Sequence, residues 1–147
     1  MKRLLCALVL PLSCVSILGE PQSTERTIPC KTAETAPSCR WIHGRLAEAN
    51  GNPSYRLWKV GTHRLLGIYS GPEAFHRRFE KSEYAPDNEA PQLPSNVEEA
   101  LWRSASGSWA NIIFADFEVC PLEKEKPKAM QSACIESAKN IVIEKGD

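Results

Sequence analysis

Cysteine usage constrains this chain more than any other feature. Six cysteines occur in 147 residues, and two of them, Cys6 and Cys14, stand inside a leader-like N-terminus. Lys2 and Arg3 give that leader a basic start, Leu4 to Leu12 is an apolar run interrupted by Pro11, and small residues lead to Gly19. Residues 1–19 therefore read as a secretory signal peptide, with the mature chain starting at Glu20. The apolar run is too short for a membrane span of about 20 residues, and no later segment reaches that length. Leu12-Ser13-Cys14 also resembles a lipoprotein cleavage site, which makes a lipid anchor at Cys14 the lesser alternative. Pro11, and the apolar residues continuing past Cys14, favour simple secretion. A secreted or periplasmic location is expected, and there Cys30, Cys39, Cys120 and Cys134 would be oxidised.

Four cysteines allow three connectivities. The segments flanking Pro127 read as a hairpin, and symmetry about Pro127 puts Cys120 opposite Cys134, Val119 opposite Ile135 and Ile113 opposite Ile141. Directly opposed residues on paired strands bring their Cβ atoms close. The favoured bridge is thus Cys120–Cys134, leaving Cys30–Cys39 by elimination. Zinc held by Cys39 and His43 is the rival reading, but no CxxC or HxH pair supports it. No metal and no cofactor is assigned.

Apolar residues make up 42% of the chain and charged residues 24%, the balance of a single globular domain rather than a disordered chain. Net charge is zero, so the chain lacks the basic footprint of a nucleic-acid partner. Residues 20–39 are rich in Thr, Ser, Pro and Glu and read as a flexible N-terminal arm, with a β-rich domain over 40–147. Within it, 41–46, 55–60 and 64–69 alternate as strands. They are separated by Asn50-Gly51-Asn52-Pro53 and Gly61-Thr62-His63, both strong turn signals. Four prolines between Ser70 and Pro94 make the middle irregular. Ser95 and Glu98 have capping-box spacing and predict one short helix near 96–105. Strands follow at 110–120 and 130–143, the latter polar enough over 136–140 to hold a bulge. The expected fold is mainly β, a small antiparallel sandwich or barrel.

The Gly44-Arg45-Leu46, Asn50-Gly51-Asn52-Pro53, Leu57 to Gly61 and Leu66-Gly67 series is followed by Ala115-Asp116-Phe117-Glu118-Val119-Cys120-Pro121 and Met130-Gln131-Ser132-Ala133-Cys134-Ile135-Glu136-Ser137. Together these resemble a family of uncharacterised secreted bacterial proteins, over roughly 42–69 and 114–143. That family implies no activity. A looser likeness to transthyretin-like and carboxypeptidase-regulatory-like domains implies an Ig-like sandwich used for binding.

Three constellations are candidates for chemistry. The hairpin register puts Glu118 opposite Glu136, with Asp116 two residues along. Such an acidic cluster suits a cation or acid–base work, although opposed like charges also strain the register. Phe75-His76-Arg77-Arg78-Phe79 interleaves aromatics with cations, making His76, Arg77 and Arg78 a candidate anion-binding set. Trp41, Trp58, Trp102 and Trp109 suit a carbohydrate platform, but at least three of them are expected to pack in the core or a groove. No catalytic motif occurs, and no catalytic residue is assigned. The sequence points to an exported, disulfide-stabilised, non-catalytic binding or envelope-associated module, whose partner is an extracellular or envelope protein or glycan. The alternatives are a glycan-active enzyme or hydrolase using Asp116, Glu118 or Glu136, and a secreted inhibitor presenting the 122–129 loop.

Overall fold

A computed structural model describes residues 26–77, 90–104 and 111–144. Residues 1–19, read above as a signal peptide, the expected mature start at Glu20, Cys14, Arg78 and Trp109 lie outside the described residues. Five strands form where alternation foretold them: β1 (Arg40–Glu48), β2 (Tyr55–Lys59), β3 (Leu65–Ile68), β4 (Ile112–Pro121) and β5 (Gln131–Ile143). Among the described residues two α-helices lie between β3 and β4: α1 (Pro72–Arg77), in the segment read as irregular, and α2 (Ser95–Ser104). The cap of α2 sits one residue earlier than the Ser95 signal. Pro94 O accepts the amides of Val97 and Glu98, while Glu98 Oε1 reaches back to the Leu93 amide at 3.1 Å.

The strands close into one barrel in the order β1-β2-β3-β5-β4. Of the two expected architectures the barrel is the one found. The expected all-antiparallel pairing needs a correction, because β3 and β5 run parallel, with Leu66 beside Gln131 and Ile68 beside Ala133. The long crossover through α2 and β4 brings β5 back alongside β3 in the same direction. Strand β1 is shared: Gly44–Glu48 pairs with β2 while Arg40–Ala47 pairs with β4. Gly44 stands where β1 parts from β2, and a Cβ there would lie 2.6 Å from Leu57 Cδ1. A side chain there would push the buried Leu57 aside and crowd Trp58 O at 3.2 Å.

Period-2 alternation fills the interior. Ile42 and Leu46, Leu57, Leu66 and Ile68, Ile113, Ala115, Phe117 and Val119, and Ala133 and Ile135 all point inward. At one end Val97, Ala100 and Leu101 of α2 join this cluster and close the barrel. The opposite end, where β1 and β3 begin and β2 ends, is crossed by the β4–β5 loop, residues 122–130.

The hairpin register holds at its base, with Cys120 opposite Cys134 and Val119 opposite Ile135. Two bulges then shift it. Glu118 faces Ser137, not Glu136, and Ile113 faces Ile143, not Ile141. Asn140, at φ 55°, lies in the second bulge. Asn tolerates this left-handed conformation better than other side chains.

The expected disulfides are also corrected. The bridges are Cys30–Cys134 and Cys39–Cys120, with Cα separations of 5.7 and 4.1 Å. Alternation puts Cys120 on the outer side of β4, and residues 26–39 cross the sheet there. Directly opposed strand residues hold their Cβ atoms about 4.5–5.5 Å apart, wider than the mean of about 3.8 Å in a disulfide. Each strand sulfur instead meets a cysteine of the crossing segment. Residues 26–39, assigned above to a flexible arm, are thus a strap. At its start the half-buried Arg26 guanidinium donates to the carbonyls of Ile135, Ser70 and Gln92.

Candidate functional site

Asp116, Glu118 and Glu136 share the outward surface of β4 and β5 without converging. Asp116 Oδ1 lies 2.9 Å from His43 Nδ1, and its Oδ2 accepts from Asn140 Nδ2 at 2.7 Å. Those two bonds, Asn140 first, hold the Asp116 carboxyl below the usual aspartate range. Glu118 accepts from Lys31 Nζ at 2.6 Å and Ser137 Oγ at 3.0 Å, and the Lys31 bond pulls its pKa down. Glu136 takes the Lys31 backbone amide at 2.9 Å. The bulge separates the two glutamates that strict symmetry would oppose, and the strap's Lys31 sits between them. Each carboxylate already has partners, and none lines a described cleft. Among the described residues no group of three His, Cys, Asp or Glu side chains is placed to hold a metal ion.

The aromatic–cation stretch divides. Phe75 is buried in α1, edge-on to Tyr69 with ring centroids 5.6 Å apart. His76 is exposed and lines a groove shared with Glu34, Leu122 and Lys124. Arg78 and the Arg77 side chain lie outside the described set. The expectation that at least three tryptophans pack in the core or a groove is corrected in part: none of the three described lies in the core, and Trp58 lines an open groove with Gly61 to His63. Trp41 is 46% exposed, Trp58 38% and Trp102 81%. Trp41 lies under Lys139 Nζ, 4.2 Å from the ring centroid. Trp58 donates its indole N–H to Thr62 O at 2.6 Å.

Among the described residues, one concavity whose floor is made of core side chains and whose rim is charged is the barrel mouth, at the end away from α2. A cavity of about 140 Å³ opens there. Ile42 and Leu66, whose side chains belong to the core, form its floor, with Leu65 and Ala129 at the sides. Arg40, Lys59 and Arg64 form the rim, and Glu125 hangs over it from the β4–β5 loop in an ion pair with Arg64. A wider open groove of about 830 Å³ continues outward between Gly61–Leu65 and Pro127–Met130. Among the described residues no ion pair or hydrogen bond engages the side chain of Arg40 or Lys59.

Local bonds fix both walls. In the β2–β3 turn, Gly61 has φ 77°, the Lys59 amide bonds Arg64 O at 3.0 Å, and Thr62 Oγ1 bridges Lys59 O and the Arg64 amide. In the β4–β5 loop, Glu123 folds back onto β5. Its Oε1 accepts from Ser132 Oγ at 2.7 Å and from the Ser132 amide at 3.1 Å, while its carbonyl takes Gln131 Nε2 at 2.9 Å. The 122–129 loop is thereby braced at its N-terminal half and reaches Arg64 through Glu125. Sequence reasoning missed this mouth. The available signal was modest: Arg40 starts a strand, Lys59 ends the next and Arg64 precedes the third, which places all three at one end of an up-and-down arrangement.

Comparison of the chain with protein-family models, with curated proteins and with solved structures finds no match.

Proposed function

We propose that the chain is an exported, disulfide-stabilised binding module that takes its ligand at the barrel end crossed by the β4–β5 loop. The observation that carries this reading is the mouth itself. It is a concavity with a core-lined floor and a rim on which Arg40 and Lys59 have no described partner. Ligand sites favour such barrel mouths, where an apolar floor meets a few placed polar groups. The strand order, with β3 parallel to β5 and a helix between β3 and β4, matches the connectivity of the five-stranded Greek-key OB barrel. In that frame the β4–β5 loop borders the binding surface. Shared connectivity is an analogy and supplies no ligand. Export is supported by the leader pattern and by two disulfides of the kind an oxidising compartment maintains. The resemblance to an uncharacterised secreted family points the same way.

Two measurements test this reading. Non-reducing peptide mapping of protein recovered outside the cytosol should find a mature N-terminus at Glu20 and the Cys30–Cys134 and Cys39–Cys120 bridges. Recovery of reduced protein in the cytosol with its leader intact would remove export. A fragment screen by amide NMR should perturb 40–42, 59–66 and 125–131. Perturbations confined to the Asp116–Glu118 face would remove the binding-end assignment.

A further inference from the structure

We propose that the barrel mouth binds a carboxylate carried on a short apolar stem, seated on Ile42 and Leu66 and held by Arg40, Lys59 and Arg64. This rests on the reading of that end as the ligand end and adds the chemical class. The cavity of about 140 Å³ is close to the roughly 150 Å³ void that accepts a benzene-sized group in an engineered core, so a stem of about four to six carbons fits. An apolar floor gives nothing to a compact, strongly hydrated anion but favours burial of an alkyl stem. A stem without charge, in turn, leaves the cationic rim unused.

The molecule already holds a carboxylate in this place. Glu125 pairs with Arg64 at the rim while its own stem runs back to the β4–β5 loop. Glu125 thus acts as an internal competitor. A ligand carboxylate takes Arg64 in a fork-to-carboxylate contact, and Arg40 and Lys59 add charge. Release of Glu125 then loosens the one described ion pair between the β2–β3 turn and the β4–β5 loop.

The test uses ¹⁵N-labelled protein with both disulfides intact and three probes: pentanoate, inorganic phosphate and 1-pentanol. Pentanoate should shift the amides of Ile42, Arg64 and Leu66 saturably, and the other two should bind at least about tenfold more weakly. Glu125→Gln should tighten pentanoate about two- to fivefold, and Lys59→Ala should weaken it by a similar factor, as expected for partly solvated charges. A merely structural Glu125 would not give tighter binding on its removal. Equal binding of phosphate, equal binding of pentanol, no saturable pentanoate shift, or weaker binding by Glu125→Gln would each overturn the proposal. Should Glu125→Gln not fold, the probe ranking and Lys59→Ala still decide it. A fragment screen that finds this end taking amines or sugars but not carboxylates defeats this inference alone. One that finds only the Asp116 face defeats the underlying reading as well.

Discussion

Cys120 and Cys134 face each other across the β4–β5 ladder, yet each is bonded to a cysteine of the strap. The ladder positions them, and the strap supplies their partners. In the chain-entropy account, a disulfide closing a loop of 81 or 104 residues contributes about 4–5 kcal/mol, less any loss to residual structure in the unfolded chain. The variant Cys39→Ser/Cys120→Ser is expected to lose about 2–5 kcal/mol of stability in urea unfolding while keeping its strand content by circular dichroism. An unchanged midpoint would show that the strap is held by other contacts.

The strap also approaches Gly71 closely. A Cβ there would sit 2.6 Å from Pro29 O, a backbone atom that cannot swing aside. Gly71→Ala should therefore displace the strap and cost about 1–3 kcal/mol, with faster amide exchange over 28–32. Exchange there at the wild-type rate would contradict the close packing.

Arg26 fastens the other end of the strap. Its guanidinium is half-buried, and that desolvation pulls its pKa below the usual arginine value. Arg26→Ala would leave the carbonyls of Ile135, Ser70 and Gln92 without this donor. A loss of about 1–3 kcal/mol is expected, and water entering the site would reduce it. Chemical denaturation of the variant checks the value.

Lys31 predicts a pH response. Glu118 titrates below its ordinary value of 4.5 because the Lys31 ammonium and Ser137 hydroxyl favour the carboxylate. A depressed carboxyl contributes stability that is complete above the unfolded value and disappears as pH falls through the folded one. The Glu118 contribution should thus be constant from neutral pH to about 5 and decline below 4.5. Lys31→Ala should raise the Glu118 pKa toward the ordinary value in a carboxyl NMR titration. An unmoved Glu118 would show that Ser137 alone sets it.

Most of the barrel was legible because alternation and turn chemistry are local. Leu57 and Ile113 announce an inner face, and Gly51 and Gly61 take the positive φ their turns require. Three things were not legible, each for a physical reason. The disulfide partners depend on where the strap crosses, which no local pattern records. The displacement of Glu136 from Glu118 depends on one extra residue in β5, and period-2 reasoning cannot place a bulge without the opposing strand. The mouth is assembled from Arg40, Lys59 and Arg64, ordinary strand-end cations until closure of the sheet brings them to one rim.

The nested arrangement of the two bridges has a consequence for life among proteases. Any single backbone nick between Cys30 and Cys134 leaves the pieces covalently joined, because the Cys30–Cys134 bond spans every such position. A clipped molecule would migrate as one species until reductant is added.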